Sequence, residues 1–376
     1  MQLVRTAEYL AVAALLVSLF AATVSAQDGS EVRADEDILE IDTRLVEVPV
    51  VVTDLAGRPV LGLTRENFEI LEDDRPEEIA SFSSTDAPFE VALFLDTSGS
   101  TRADLQLIVK AAEYFIRSLR PGDRVAIVSF NQKVSGRHVE AYSEIVSDLS
   151  EDREGLVKSL SQIRTSSGTP FYDGMLMVAR DIFGNAPEAR FQGRRAMVAL
   201  TDGVDSTSFW DFVKARRELD KAGIISYFIK IDTREKFEQN LLGDCSTATH
   251  FSESQIKKYW AQFPKDAKME RVFDFCKIGD FSRLDMSRSL YRIAFEEMSA
   301  LSSASGGKVF AASDIRDAAT AFGQVAEEIG SKYSIGYYSS NEKTDGAFRK
   351  ITVKLRGIAK ETQVRAREGY KAPSGK

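Results

Sequence analysis

The chain has 376 residues, 43% of them hydrophobic and 28% charged, a globular composition with room for one large domain or two smaller ones. A formal net charge of −8, a pI near 5.2 and the absence of any long Lys/Arg run argue against a nucleic-acid binder, which presents a basic face. Two cysteines, Cys245 and Cys276, with one nearby histidine, His250, lack the paired ligand spacing of a zinc site.

Arg5 precedes an apolar stretch from Leu10 to Val24, and Val24-Ser25-Ala26 places small residues before Gln27. The apolar part is short for a spanning helix, so residues 1–26 read as a cleaved export signal, with an uncleaved N-terminal anchor as the competing reading. No later segment has the run of 18 or so apolar residues that a transmembrane helix requires. An exported chain meets an oxidising compartment, which favours a Cys245–Cys276 disulfide over two buried free thiols. Residues 27–37 are polar and acidic and read as a disordered lead-in.

Residues 38–88 form a β-rich segment. Arg44–Thr53 is rich in β-branched residues, Asp54–Arg58 carries a turn signal, and Phe68–Glu72 and Glu78–Ser83 alternate. The pattern changes at Phe89. Val91–Leu95, Val125–Phe130, Ala196–Leu200 and Ile224–Ile231 are apolar runs, as expected of strands covered on both faces. Helical periodicity lies between them: Ala103–Leu119, Gly155–Ile163, Asp173–Phe183 and Trp210–Ala222. Alternating strands and helices predict an α/β fold with a doubly wound, mostly parallel sheet over residues 89–332. A polar, aromatic-rich stretch of about 233–289, holding both cysteines, interrupts the rhythm and reads as an insertion. A helix over Ile293–Ser303, a strand over Gly306–Ala311 and a helix over Ala318–Ile329 follow. The tail, 333–376, alternates again in Tyr333–Tyr338, Phe348–Leu355 and Thr362–Arg367. Neither flank has enough strands to stand alone, so the two are expected to pair as one small antiparallel β unit.

Ligands of doubly wound sheets sit at the carboxyl ends of the strands. Three polar segments fall there. Asp96, Ser98 and Ser100 follow the first buried strand as D-x-S-x-S, a spacing that in extended chain projects three oxygens to one side. Thr169 lies in Ser166-Ser-Gly-Thr-Pro170 before a helix, and Asp202 follows the third strand. Carboxylate and hydroxyl oxygens are hard ligands, suited to Mg²⁺, Mn²⁺ or Ca²⁺. Two carboxylates and three hydroxyls leave such an ion electrophilic, with one position for water or for a carboxylate from another protein. Helix-capping turns would explain one such loop, but not three at the same sheet edge.

D-T-S-G-S, S-G-T-P and T-D-G, in that order, resemble the metal-ion-dependent adhesion site of von Willebrand factor A (VWA) domains over about Phe89 to Lys332. The flanks Leu45–Thr53, Phe68–Asp73, Phe348–Leu355 and Glu368–Tyr370 resemble a bacterial subgroup, the VWFA-related proteins frequent in acidobacteria. The resemblance implies direct ligation by Ser98, Ser100 and Thr169, with Asp96 and Asp202 bound directly or through water. It implies a secreted or envelope-bound adhesion module with a protein partner that supplies an Asp or Glu; the alternative is an accessory or assembly subunit of an envelope complex. An enzyme is not expected. No G-x-S-x-G elbow surrounds Ser98 to pair it with His138 or His250, and no P-loop or G-x-G-x-x-G follows a strand.

Overall fold

The computed structural model describes residues 45–136, 138–265, 270–358 and 361–374. The expected signal and lead-in lie outside the described residues, as does the side chain of Ser100. No described helix is long and apolar enough to cross a membrane.

The N-terminal segment supplies β1 (Leu45–Asp54), β2 (Phe68–Glu72), β3 (Arg75–Glu77) and β4 (Ile79–Ser83). The tail supplies β11 (Tyr333–Tyr338), β12 (Phe348–Leu355), β13 (Thr362–Ala366) and β14 (Gly369–Lys371). They interleave in two four-stranded antiparallel sheets, ordered β13-β1-β11-β4 and β14-β12-β2-β3. Alternation decides the inner face: Val46, Val48, Val50 and Val52 of β1 all enter one core with Ile70, Tyr333, Ile335 and Ile351. Asp73 and Asp74, both at positive φ, turn β2 into β3, a conformation that short side chains able to bond their own backbone tolerate best. Of the tail tyrosines read as strand packing, Tyr333 and Tyr337 are fully buried and Tyr338 is exposed.

Between these flanks lie β5 (Glu90–Leu95), α1 (Leu105–Ser118), β6 (Arg124–Ser135), β7 (His138–Ser150), α2 (Arg153–Ser159), α3 (Phe171–Met177), β8 (Arg195–Thr201), α4 (Phe212–Lys221) and β9 (Ile225–Ile231). Then come α5 (Arg234–Gln239), α6 (Glu253–Trp260), α7 (Asp280–Ser305), β10 (Val309–Ala312) and α8 (Ala318–Gly330). The sheet order is β10-β9-β8-β5-β6-β7, and every neighbouring pair is parallel except β6–β7. Apolar residues of α1 and α8 cover one face, including Ile108, Phe115, Phe322 and Val325. Residues of α3, α4 and α7 cover the other, among them Met175, Leu219, Met298 and Leu301. The α/β, mostly parallel, doubly wound fold with an added antiparallel β unit is therefore as expected.

Three elements differ from expectation. β6 runs past Phe130 into a hairpin with β7, a stretch the sequence reading leaves unassigned. Its residues are mostly half-buried or exposed, and polar ones interrupt the apolar ones, so no apolar run marks it. The helix expected from Ile293 begins instead at Asp280. Met286 and Leu290 in its first half pack into the insertion, while Met298 and Leu301 pack on the sheet. The buried side therefore changes partner along the helix and blurs the period. The chain also does not stay extended through D-x-S-x-S: it enters a 3₁₀ turn at Gly99 with Ser98 as the preceding cap.

Candidate functional site

Strand order reverses at β5, which has β6 on one side and β8 on the other. The crevice at such a switch point is where doubly wound sheets bind ligands. Asp96 and Asp202 end these two adjacent strands. The Asp96 amide still bonds to the Leu200 carbonyl at 2.9 Å, so the two carboxylates leave the sheet side by side.

Both carboxylates are buried, Asp96 at 1% and Asp202 at 5% exposure. Asp96 Oδ1 accepts from the Ser98 amide at 3.0 Å, and Asp96 Oδ2 accepts from the Thr201 hydroxyl at 2.7 Å. Asp202 Oδ1 accepts from the Val204 amide at 2.9 Å, and Asp202 Oδ2 accepts from the Thr233 hydroxyl. Thr233 in turn lies 2.8 Å from the Tyr291 hydroxyl. Among the described residues, no lysine, arginine or histidine forms an ion pair with either carboxylate. Burial raises the proton affinity of Asp96. Burial first, then the neighbouring Asp96 charge, raises that of Asp202. Two unneutralised carboxylates forced together in a buried crevice are the donor set that a hard divalent cation relieves.

The third loop is tied to the other two. The Ser166 amide donates to the Thr97 carbonyl at 2.8 Å, which joins it to the Asp96 loop. The Thr169 carbonyl accepts from the Ser206 amide at 3.0 Å, and the Thr169 amide donates to Ser206 Oγ at 2.9 Å. Asp205 caps α3, accepting from the Phe171 amide at 2.9 Å, while Asp173 accepts from the amides of Phe209 and Trp210 at 2.9 and 3.0 Å. Thr169 itself is buried. Loops carrying Asp96, Ser98, Thr169 and Asp202 thus meet at one edge of the sheet. Ser100 follows Gly99 in the same 3₁₀ turn.

Sequence reasoning overlooked Thr201, Thr233, Asp205 and Tyr291. Thr233 had a legible signal, because Asp232-Thr233 follows β9 in the position Asp96 holds after β5. Tyr291 had none, since it reaches the site from the middle of α7.

The insertion is fastened to the Asp96 and Asp202 loops and to α3. Lys236 Nζ pairs with Asp104 at 2.8 Å, just after the D-T-S-G-S turn. Ser254 Oγ donates to the Ser206 carbonyl at 2.9 Å. Lys258 donates to the Tyr172 hydroxyl and to Glu297, the latter at 2.8 Å. Its own core, with Phe251, Ile256, Trp260 and Phe275, also holds Val204, two residues past Asp202. The Cys245–Cys276 disulfide closes it. His250 stacks on Phe275 within the insertion, while His138 begins β7 and Ser98 precedes the 3₁₀ turn after β5.

Residues 90–258 match the von Willebrand factor type A domain. Solved structures similar to this chain include proximal thread matrix protein 1 from the mussel byssus, at 13% identity and a TM-score of 0.41 over 69% of this chain and 50% of that one. Another is a von Willebrand factor type A protein from Catenulispora acidiphila, at 12% identity and a TM-score of 0.42 over 89% of this chain and 75% of that one. A third holds three N-terminal domains of the type V pili tip protein Mfa5 from Porphyromonas gingivalis, at 18% identity and a TM-score of 0.26 over 43% and 27% of the two chains. This chain thus spans half the length of the byssus protein it matches. A comparison with curated proteins gave no match. Residues 90–258 of this chain are a von Willebrand factor type A domain.

Proposed function

We propose that the chain is a cation-dependent protein-binding module of the cell envelope or exterior. One Mg²⁺, Mn²⁺ or Ca²⁺ would be held by Asp96, Ser98, Ser100, Thr169 and Asp202, and a partner's Asp or Glu would complete its coordination. The observation that carries this reading is the pair of buried carboxylates on adjacent strands with no basic counter-charge among the described residues. An ion would supply the missing positive charge and an electrophilic position for the partner. The chain's own groups would do the rest: Thr201 and Thr233 orient the carboxylates, and the Ser206 contacts hold Thr169. The reading assigns the site to binding and gives no residue a catalytic role.

The disulfide supports export, since such bonds persist in oxidising compartments. The paired N- and C-terminal strands support membership of the bacterial VWFA-related subgroup. Crosslinking capture in Mg²⁺ and in EDTA, with Asp202→Ala as control, tests the function. A partner retained only by wild-type protein in Mg²⁺ is expected; equal capture in EDTA would refute cation dependence.

A further inference from the structure

The β6–β7 hairpin rises past the carboxyl edge of the sheet: β5 ends at Leu95, opposite Ser129, while β6 continues to Ser135. β7 is the outermost strand, 13 residues long, and among the described residues its only strand partner is β6. A groove of about 600 Å³ lies against it. The six consecutive residues His138 to Ser143 line one side, and Asp173, Met177, Thr207 and Phe209 line the other. Successive strand residues point to opposite faces, so an unbroken run lines a groove only when the groove follows the strand's edge. That edge offers unpaired backbone donors and acceptors.

The groove adjoins the candidate site. A Cβ on Gly168 would come within 2.6 Å of Thr207 and 3.2 Å of Ala141, so the chain at Gly168 is wedged between the two walls, and the next residue is Thr169. The walls mix polar and apolar groups, and the apolar ones are open: Phe209 is 84% exposed, Val139 51% and Tyr142 40%. Charge narrows the occupant. Glu140 and Glu144 lie on one face of β7, so two copies paired antiparallel about Tyr142 would set acidic side chains against each other. A second copy is disfavoured, and a strand with basic side chains is favoured.

We propose that this groove receives an extended segment of a partner protein, added as a strand to the edge of β7. Basic residues of that segment face Glu140 and Glu144, an apolar one lies against Tyr142 and Phe209, and an acidic one points toward Thr169. The acidic anchor rests on the cation-dependent reading above; the strand addition does not.

Panning a random peptide library displayed on phage against the full chain in Mg²⁺ tests this. Enriched peptides are then measured by fluorescence anisotropy on wild type, on Phe209→Ser/Val139→Thr, and on Asp202→Ala. Both groove substitutions sit on exposed side chains, so the fold is expected to survive, which circular dichroism checks. The expected result is at least about a tenfold loss in the groove variant. Backbone N-methylation of the peptide should abolish binding at alternate positions only, the signature of strand pairing. Failure to enrich any peptide, or equal affinity for the groove variant, overturns the proposal. Binding that depends on the groove but ignores EDTA and Asp202→Ala keeps the groove and removes the cation. Binding lost in EDTA but unchanged in the groove variant does the reverse.

Discussion

The hydroxyl of Thr201 donates to Asp96 Oδ2 at 2.7 Å, so the residue before Asp202 orients the carboxylate that ends the neighbouring strand. The same oxygen of Thr201 accepts from the Gly203 amide at 2.8 Å, which sets the turn that aims Asp202. One hydroxyl thus positions both acids.

Thr201→Val keeps the shape and removes that oxygen. Groups that orient metal ligands typically contribute tenfold or more to affinity. We expect Mn²⁺ affinity to fall by about tenfold with the fold intact, measured by calorimetry alongside circular dichroism. Thr233→Val should act in the same direction through Asp202.

Asp202→Asn removes half of a like-charge pair. Because burial raises the proton affinity of both carboxyls, the folded state holds protons that the unfolded chain has already released. In divalent-free buffer, stability should therefore decline as pH rises above the ordinary carboxylate range. Asp202→Asn should flatten that decline and raise stability near neutral pH by on the order of 1 kcal/mol. Added Mg²⁺ should raise the melting temperature of wild type and not that of the variant. Melting curves with and without Mg²⁺ decide it.

Arg194 joins the VWA domain to the β unit. It is fully buried and stacks 4.1 Å above Phe89. It donates to the carbonyls of Ser84, Ala87 and Pro88, in the loop between β4 and β5, and of Lys332, just before β11. Arg194→Met would leave four carbonyls without this donor. A loss of about 3 kcal/mol or more is expected in urea unfolding.

Lys332 is fully buried beside Tyr227, and its Nζ donates to the Gly306 carbonyl at 2.5 Å. Burial pushes its amine down to about 7, partly offset by Glu328. The unfolded chain then binds a proton that the folded protein lacks between that value and the ordinary lysine range. Wild-type stability should accordingly rise with pH across this window. Lys332→Met should be favoured most below about pH 7, its advantage fading toward about pH 10. Denaturant midpoints at several pH values check it.

The strands that position the site were legible because burial on both faces leaves apolar runs such as Val91–Leu95 and Ala196–Leu200. The strand-end oxygens were legible for the same reason, since a polar residue that breaks such a run marks the sheet edge. β7 was missed because an exposed edge strand carries no such run. The hold of the insertion on the site was illegible because its contacts, such as Lys236 with Asp104, join residues far apart in the chain. The 3₁₀ turn at Gly99 was missed because the spacing of Asp96, Ser98 and Ser100 fits both an extended and a turned chain.

Titration calorimetry of the full chain with Mn²⁺ and Mg²⁺, repeated on Asp96→Ala/Asp202→Ala, decides whether the strand-end oxygens hold a cation. One saturable ion per wild-type chain and none for the double variant is expected. An absence of uptake by folded wild-type protein, or equal uptake by the double variant, would contradict it.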